Sequence, residues 1–370
     1  MLARALVIAK KELLQLRRDR MTLAMMIVLP LLQLLLFGYA INTDVRHIPT
    51  LVFDQDRSAQ SRDLARSLEA TGFYDLMGAV DGYPEIARAL ASGRARAALV
   101  VPPRYASDLA SGRPSTLQLV VDGSDPQVVA SATNTAAALV GARSREIAQA
   151  LSPRLSEPIR LEPTIWYNPE LRTAVYVVPG LVGVILTMTM VMLTAMAIAR
   201  ERERGTLEQL IVSPVSGLEL MVGKIVPYVS IGYVQMTIIL LAGRVVFGVP
   251  ILGSLLTLYA LALVFIAANL SLGLFFSTVA QTQQQAMQMS FFFLLPNMLL
   301  SGFMFPFEAM PRPAQWIGEA LPLTHFLRIV RGIALKDVGI TDLWPELAWM
   351  GGLLVLLVSL ASLRFSKQLA

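Results

Sequence analysis

The chain has 370 residues, of which 55% are hydrophobic and only 15% are charged, and its mean hydropathy is +0.59. Soluble globular proteins carry about 25% charged residues, so these values exclude an ordinary water-facing surface and indicate a membrane protein. Cysteine is absent, only two histidines occur and the net charge is +5, which argues against disulfides, thiol nucleophiles and metal sites and favours basic membrane-side loops over nucleic-acid binding.

The first forty residues predict an entry into the membrane. Residues 1–20 place apolar residues at helical spacing between basic ones, which predicts an amphipathic helix on the inner membrane face. The basic residues of this helix include Lys10, Lys11, Arg17 and Arg18. Residues 21–41 contain no charge and are about one bilayer long. We interpret them as the first span rather than a cleaved signal peptide, whose apolar region has about 7–15 residues.

Residues 42–172 differ from the rest because they alternate short apolar runs with amphipathic stretches and turn signals such as Asp-Gly and Pro-Pro. This pattern predicts a folded α/β domain outside the bilayer, inserted between the first and second spans, without specifying the strand order. The predicted strands are Thr50–Phe53, Phe73–Val80, Ala97–Val101 and Leu117–Val121. The predicted helices are Ser58–Ala70, Glu85–Ala91 and Gln127–Leu151.

The rest of the chain predicts five further spans, because uncharged runs of bilayer length recur between charged or turn-forming segments. These spans are residues 173–199, 225–243, 251–277, 286–305 and 347–363. A charged loop at 200–224 joins the second span to the third, and a short tail at 364–370 follows the sixth. Residues 306–342 are too polar to span and predict short re-entrant or interfacial helices at the outer leaflet. Aromatic residues that suit such an interface are Trp316, Phe326 and Trp344.

The orientation follows from the basic residues of the short loops. The N-terminal helix, the 200–224 loop and the tail are all rich in Lys and Arg, and six spans place them on one side. The positive-inside rule makes that side the cytoplasm. The predicted architecture is therefore a polytopic α-helical membrane protein with six spans, both termini in the cytoplasm and an inserted extracytoplasmic α/β domain.

The spans lack features that would power transport. They contain no ionisable residue away from their ends, which argues against an ion-coupled transporter. The nearest match to a phosphate-binding loop ends at Gly223-Lys224-Ile225, with the wrong spacing and no hydroxyl. We therefore expect neither enzymatic activity nor a bound cofactor. Helix packing is the favoured role of the polar and methionine side chains within the spans. The candidates for lining a transport path are Gln33, Met192, Gln235, Asn269, Gln288 and Asn297.

The loop Arg200–Ser216 carries the most specific pattern. Gly205 interrupts the helix that continues from the second span, Thr206 can cap a new short helix with Gln209 as its reciprocal partner, and Pro214 ends that helix. The apolar face of this short helix comprises Leu207, Leu210 and Ile211. Because charged residues surround this face, we expect a partner protein to dock on it. Packing against the N-terminal helix of the same chain is the alternative.

The run Glu201–Ser216, continued by Gly223-Lys224, closely resembles the signature of ABC-2 type transporter permeases. Further matches at Arg17–Arg20, Phe37–Asn42 and Pro306 fit the multidrug-exporter-like branch of that family, which has a large outer domain. The resemblance implies a bacterial inner-membrane permease that pairs with a second copy or a similar permease. It also implies a separate cytoplasmic ATPase that binds ATP and Mg.

The same resemblance assigns roles to two segments. The N-terminal amphipathic helix and the loop between the second and third spans are implied to contact the ATPase. The implied coupling residues of the loop are Glu201, Glu203, Gly205, Thr206, Leu207, Glu208, Leu210, Ile211 and Pro214.

The function implied is alternating-access export of amphipathic drugs or lipids. Two alternatives remain open at this point. One is an ABC-type machine that does mechanical work or extracts lipid without conventional release of cargo. The other is a membrane-anchored receptor that uses the 42–172 domain to bind a ligand. A periplasmic accessory protein is a further candidate partner.

Overall fold

The structure is a computed structural model that describes residues 45–151, 158–203, 205 and 217–367. The predicted N-terminal helix and first span lie outside these residues, as does most of the predicted loop 200–224. The described residues form an α/β part that comes first in the chain and a helical part that follows it.

The α/β part is built on a five-stranded sheet with the order β2-β1-β3-β4-β5. The strands are β1 Ile48–Asp54, β2 Tyr74–Ala79, β3 Ala97–Val101, β4 Ser115–Asp122 and β5 Ile159–Trp166. All neighbouring strands are parallel except β3 and β4, which are antiparallel. The four strands predicted from sequence are present, Ala97–Val101 at the predicted bounds and the other three at slightly different bounds. The fifth was missed because β5 contains charged residues and Pro163, and a proline is tolerated in a strand at a sheet edge.

Helices cover both faces of this sheet. They are α1 Ala59–Ala70, α2 Tyr83–Ala91, α3 Tyr105–Ala110 and α4 Pro126–Leu151. The central strand β3 is buried along its whole length, with Leu99 in the same apolar cluster as α1, α3 and α4, and Val100 in the cluster that contains α2. This alternation follows from the two-residue period of a strand. Only α3, a single short helix, was not predicted from the sequence.

The helical part contains α5 Thr173–Glu203, α6 Gly217–Phe247, α7 Leu255–Val279, α8 Gln283–Leu300, α9 Arg312–Glu319, α10 Pro322–Lys336 and α11 Trp344–Lys367. A single 3-10 turn, Phe307–Ala309, precedes α9. Among the described residues, three segments are long and apolar enough to cross a membrane. These are Thr173–Glu203, Pro227–Phe247 and Leu255–Val279, and Trp344–Leu360 is a shorter apolar helix. The helix in the predicted fifth span ends at Leu300 rather than near residue 305.

The short helix α10 lies in the core of the helical part, packed against α5 and α7. Phe326 stacks on Phe265 of α7 with ring centroids 4.0 Å apart. Gly183 of α5 permits this close approach, because a Cβ at that position would lie 2.6 Å from Leu323. The expected interface position of Phe326 is therefore wrong, since the residue is fully buried. Trp316 and Trp344 are mostly exposed, as an interface position requires.

Candidate coupling site and domain junction

The C-terminal end of α5 is bonded to the turn between α7 and α8. The Gln283 backbone N–H donates to the Glu203 carboxylate at 2.8 Å, and the Gln283 side-chain amide donates to the same carboxylate. The Arg200 guanidinium donates to the Gln283 side-chain oxygen at 3.2 Å, and Arg202 donates to the Ala280 carbonyl at 2.6 Å. The α5 end (Arg200–Glu203) therefore contacts the start of α8 through several polar bonds.

Gly205 lies two residues beyond this contact in a left-handed conformation with φ of +68°. Its N–H donates to the Arg202 carbonyl at 3.1 Å, which is how glycine commonly follows a helix end. Glu201 is half-buried at the end of the same helix. Several predicted site residues lie outside the described residues. They are Lys10, Lys11, Arg17, Arg18, Gln33, Thr206, Leu207, Glu208, Leu210, Ile211 and Pro214.

The residues predicted to line a transport path fall into two groups. Met192, Gln235 and Gln288 are half-buried, and Gln235 accepts a hydrogen bond from Thr189 at 2.8 Å that joins α6 to α5. Asn269 and Asn297 are fully buried within the packed helices instead.

The two buried asparagines differ in their hydrogen bonding. Asn269 donates to the Phe265 carbonyl of its own helix at 2.9 Å, while its side-chain oxygen has no partner among the described residues. Neither polar atom of the Asn297 side chain has a described partner. A buried amide without a partner costs free energy. Of the candidates for lining a transport path, Asn297 is therefore the one whose position is least explained by helix packing.

At the other end of the helical part, buried charges join the α/β part to α10 and the 3-10 turn. Lys336 Nζ lies 2.6 Å from Asp122 Oδ2, and Arg96 contacts the same oxygen at 2.9 Å. Arg96 also pairs with Glu308 at 2.9 Å. Asp122 is fully buried and the Lys336 side chain is 5% exposed. We refer to Arg96, Asp122, Glu308 and Lys336 as the junction cluster.

The electrostatics of the junction cluster favour its charged form at Asp122. Burial alone would raise the pKa of this carboxyl, but Lys336 and Arg96 outweigh burial and lower the pKa to about 2. Burial opposes ionisation of Glu308 as well, and Arg96 reverses the effect, so the Glu308 pKa is also lowered. Each buried charge is therefore held by an opposite charge contributed by the other part of the molecule.

A second charged group links α9, α10 and α11. Arg328 lies between the carboxylates of Glu319 and Glu346, with its guanidinium 4.9 Å from the centre of the Phe307 ring. His325 is buried, with Nδ1 bonded to the Glu346 carboxylate and Nε2 2.8 Å from the Glu319 backbone oxygen. Sequence analysis places these charges in an outer loop but cannot pair residues so far apart.

A cavity of about 220 Å³ lies between the two charged groups and is lined by both parts of the molecule. Its lining includes Arg96, Asp125, Glu308, Arg328 and Lys336. Burial raises the pKa of Asp125. Such a polar lining suits ordered water better than an amphipathic cargo molecule.

Comparison with known proteins decides the family. A family model described as "ABC-2 family transporter protein" matches residues 20–363, which is most of the chain. The chain belongs to the ABC-2 transporter family. ABC-2 permeases are membrane subunits that work with a cytoplasmic ABC ATPase partner. The resemblance seen at residues 201–216 is thus confirmed.

Relatives of this ABC-2 permease align along most of its length. The probable multidrug ABC transporter permease YbhR of Escherichia coli K12 is 30% identical over 348 residues, covering 94% of both chains. The probable multidrug ABC transporter permease YbhS of the same strain is 28% identical and covers 88% of this chain and 86% of its own. The inner membrane transport permease YhhJ, also from that strain, is 28% identical and covers 87% and 86%.

Proposed function

We propose that this ABC-2 permease is the membrane subunit of an exporter whose ATP hydrolysis is performed by a separate cytoplasmic ATPase. Two permeases, either identical or similar, form the translocation pathway. ATP and Mg bind to the partner ATPase, and this chain binds no cofactor. The cargo class is amphipathic small molecules such as drugs or lipids. The observation that carries the proposal is the alignment with YbhR over 94% of both chains.

The proposed topology has six spans in a bacterial inner membrane, with both termini in the cytoplasm and the α/β part in the periplasm. Two sets of contacts support it. The α5 end bonds to the α7–α8 turn, and both are cytoplasmic in this topology. Asp122 bonds to Lys336, and both are periplasmic. No described contact of these two sets joins segments assigned to opposite sides.

The absence of cysteine permits a direct test of this topology. Met77 is exposed in the α/β part, and Gln284 is exposed at the start of α8. Met77→Cys and Gln284→Cys are each treated with a membrane-impermeant maleimide in cells with a permeabilised outer membrane. We expect labelling of Met77→Cys alone, with Gln284→Cys reacting only after the inner membrane is opened. Equal labelling of both before that step would contradict the topology.

The proposed coupling loop is tested by changing its apolar face. The tagged permease is purified in mild detergent, and co-purifying ATPase, ATP hydrolysis and export of a fluorescent amphipathic dye are measured. We expect a Leu207→Asp, Leu210→Asp double variant to lose the ATPase or its stimulation, since two carboxylates oppose apolar docking. Met77→Asp is the matched control, and it should keep both the bound ATPase and its stimulated ATP hydrolysis. A wild-type permease that binds no nucleotide-hydrolysing partner would contradict the proposal.

A second candidate function is mechanical work on a periplasmic partner without release of cargo. The junction cluster favours it, because ion pairs fix the α/β part to α10 through Lys336 and to the 3-10 turn through Glu308. The same purified complex separates the two functions. ATP hydrolysis that depends on the loop, without dye export, favours the mechanical function. Hydrolysis accompanied by dye export favours the exporter.

A further inference from the structure

The Glu203 carboxylate is bound at the first turn of α8 by both the backbone and the side chain of Gln283. A carboxylate near a helix N-terminus is stabilised by the unpaired N–H groups and by the helix dipole. Hydrogen bonds to an ionised acceptor are also stronger than those between neutral groups. Glu203 is therefore matched to this place on α8 by charge as well as by geometry.

The start of α8 is capped by two hydrogen bonds between side chains and backbone. The Gln285 backbone N–H donates to the Thr282 hydroxyl at 3.1 Å, and the Gln281 backbone N–H donates to the Gln285 side-chain oxygen at 2.9 Å. This reciprocal arrangement satisfies amide groups at the helix start in the manner of a capping box. A force applied at Gln283 therefore acts on a preformed helix end and not on a loose loop.

Small side chains hold the same three helices together just beneath the polar contacts. Ala195 and Ala199 of α5 pack with Ala280 and with Ala286 of α8, and all four are fully buried. Small residues permit close approach of membrane helices. The α5 end, the α7–α8 turn and the first turn of α8 thus form one packed unit, with Glu203 at its exposed edge.

We propose that Glu203 is a positioning residue that makes α8 move with α5 when the ATPase displaces the coupling loop. This inference rests on the proposed function of that loop. Gly205, two residues beyond Glu203, ends the helix in a left-handed conformation. A displacement of the following loop moves the α5 end. The hydrogen bonds from the α5 end to Gln283 and to the Ala280 carbonyl transmit this movement to α8. That helix carries Asn297, which is buried and has no hydrogen-bond partner within the described part of the chain.

The test uses the full permease–ATPase complex with Glu203→Ala, Glu203→Gln and the exposed neighbour Gln284→Ala as control. Dye export and ATP hydrolysis are measured together, and their ratio is the readout. We expect Glu203→Ala to assemble with the ATPase and hydrolyse ATP, while export per ATP falls by about three- to ten-fold, which lies within the range of typical coupling effects. Glu203→Gln keeps an acceptor for the Gln283 N–H, so its export per ATP falls less. Gln284→Ala leaves export per ATP unchanged.

An exchange of the two side chains provides a rescue. In the double variant Glu203→Gln, Gln283→Glu, an amide can again donate to a carboxylate between the same positions, so export per ATP recovers relative to Gln283→Glu alone. A normal ratio in Glu203→Ala overturns the positioning role. Loss of the ATPase from the Glu203→Ala complex also overturns it, because Glu203 would then act in docking.

A separate measurement distinguishes failure of this inference from failure of the proposed function. Hydrogen exchange of the Gln283 amide in the permease alone reports the contact without any ATPase. We expect faster exchange in Glu203→Ala than in Gln284→Ala. If exchange increases but the wild-type complex neither hydrolyses ATP nor exports dye, the proposed function fails and not the contact. If exchange is unchanged, the contact itself is refuted.

Discussion

The two polar contact regions of this permease differ in burial and in the kind of bond they use. At the α5 end, exposed side chains form hydrogen bonds around a single carboxylate, Glu203. At the junction, four charged groups lie between the α/β part and the helical part, and Asp122 is fully buried. Helix α5 begins near the junction and extends for 31 residues, or about 45 Å, to Glu203.

This difference indicates which end of the helical part can rearrange. Exposed polar bonds exchange readily with water and contribute little to stability. Buried ion pairs stay formed, because separation of one partner would leave the other charge uncompensated and shielded from water. We therefore expect the α5 end and the start of α8 to shift together during a transport cycle, while the α/β part stays attached to α10. The following predictions test that contrast.

The largest expected effect is at Asp122. Asp122→Asn leaves the buried Lys336 and the partly buried Arg96 with one fewer opposite charge, and loss of a partner in a buried pair costs about 3–5 kcal/mol. The thermal unfolding midpoint in detergent is the measurement, and we expect a clear fall. Asp81→Asn is the matched control, because Asp81 pairs with Arg57 on the exposed surface and the midpoint should barely change. Equal effects of the two variants would show that the junction is not a special contact.

A smaller effect is expected from pH. The Asp122 pKa is about 2 in the folded protein, below the value of about 3.9 for an unfolded aspartate. Its stabilising contribution is therefore complete above about pH 5 and is lost as pH falls toward the folded pKa. Unfolding midpoints measured from pH 7 down to pH 3 should decline at the acid end in the wild type. The decline should be shallower in Asp122→Asn, and parallel curves would contradict the assignment.

The smallest effect on stability is expected at the α5 end. Glu203→Ala removes exposed bonds only, so its unfolding midpoint should match that of Gln284→Ala, although its export per ATP falls. Stability and coupling would then be separated at this residue. A drop in midpoint comparable to that of Asp122→Asn would mean that the α5 end is a structural contact like the junction.

Sequence analysis predicted the parts of this molecule that depend on local pattern. The buried strand Ala97–Val101 was predicted within its observed bounds, because five successive apolar residues between turn signals have few alternatives. Strand β5 was missed because its pairing with β4, and not its own composition, makes it a strand. Phe326 was misplaced because an aromatic residue in a polar segment suits an interface and a core equally well.

The site was predictable only where a signature covers it. The loop from Glu201 to Pro214 could be recognised from order and spacing, and Glu203 was among its candidates. Its partner Gln283 could not be predicted, because the sequence of a polar turn does not specify which helix end the turn contacts. The junction was invisible for the same reason, because Asp122 and Lys336 are 214 residues apart. Pairing at such separation is decided by tertiary packing.

The junction cluster also has a consequence for biosynthesis. Arg96 and Asp122 are made early and bond to each other within the α/β part at 2.9 Å, so they can neutralise one another before the helical part exists. Glu308 and Lys336 emerge much later and meet a pair that is already assembled. The α/β part, which is synthesised first, thus presents the Arg96–Asp122 pair to the last helices of the chain. A nascent permease that lacks Glu308 and Lys336 would leave the Arg96–Asp122 pair at the surface of its folded domain instead of burying it.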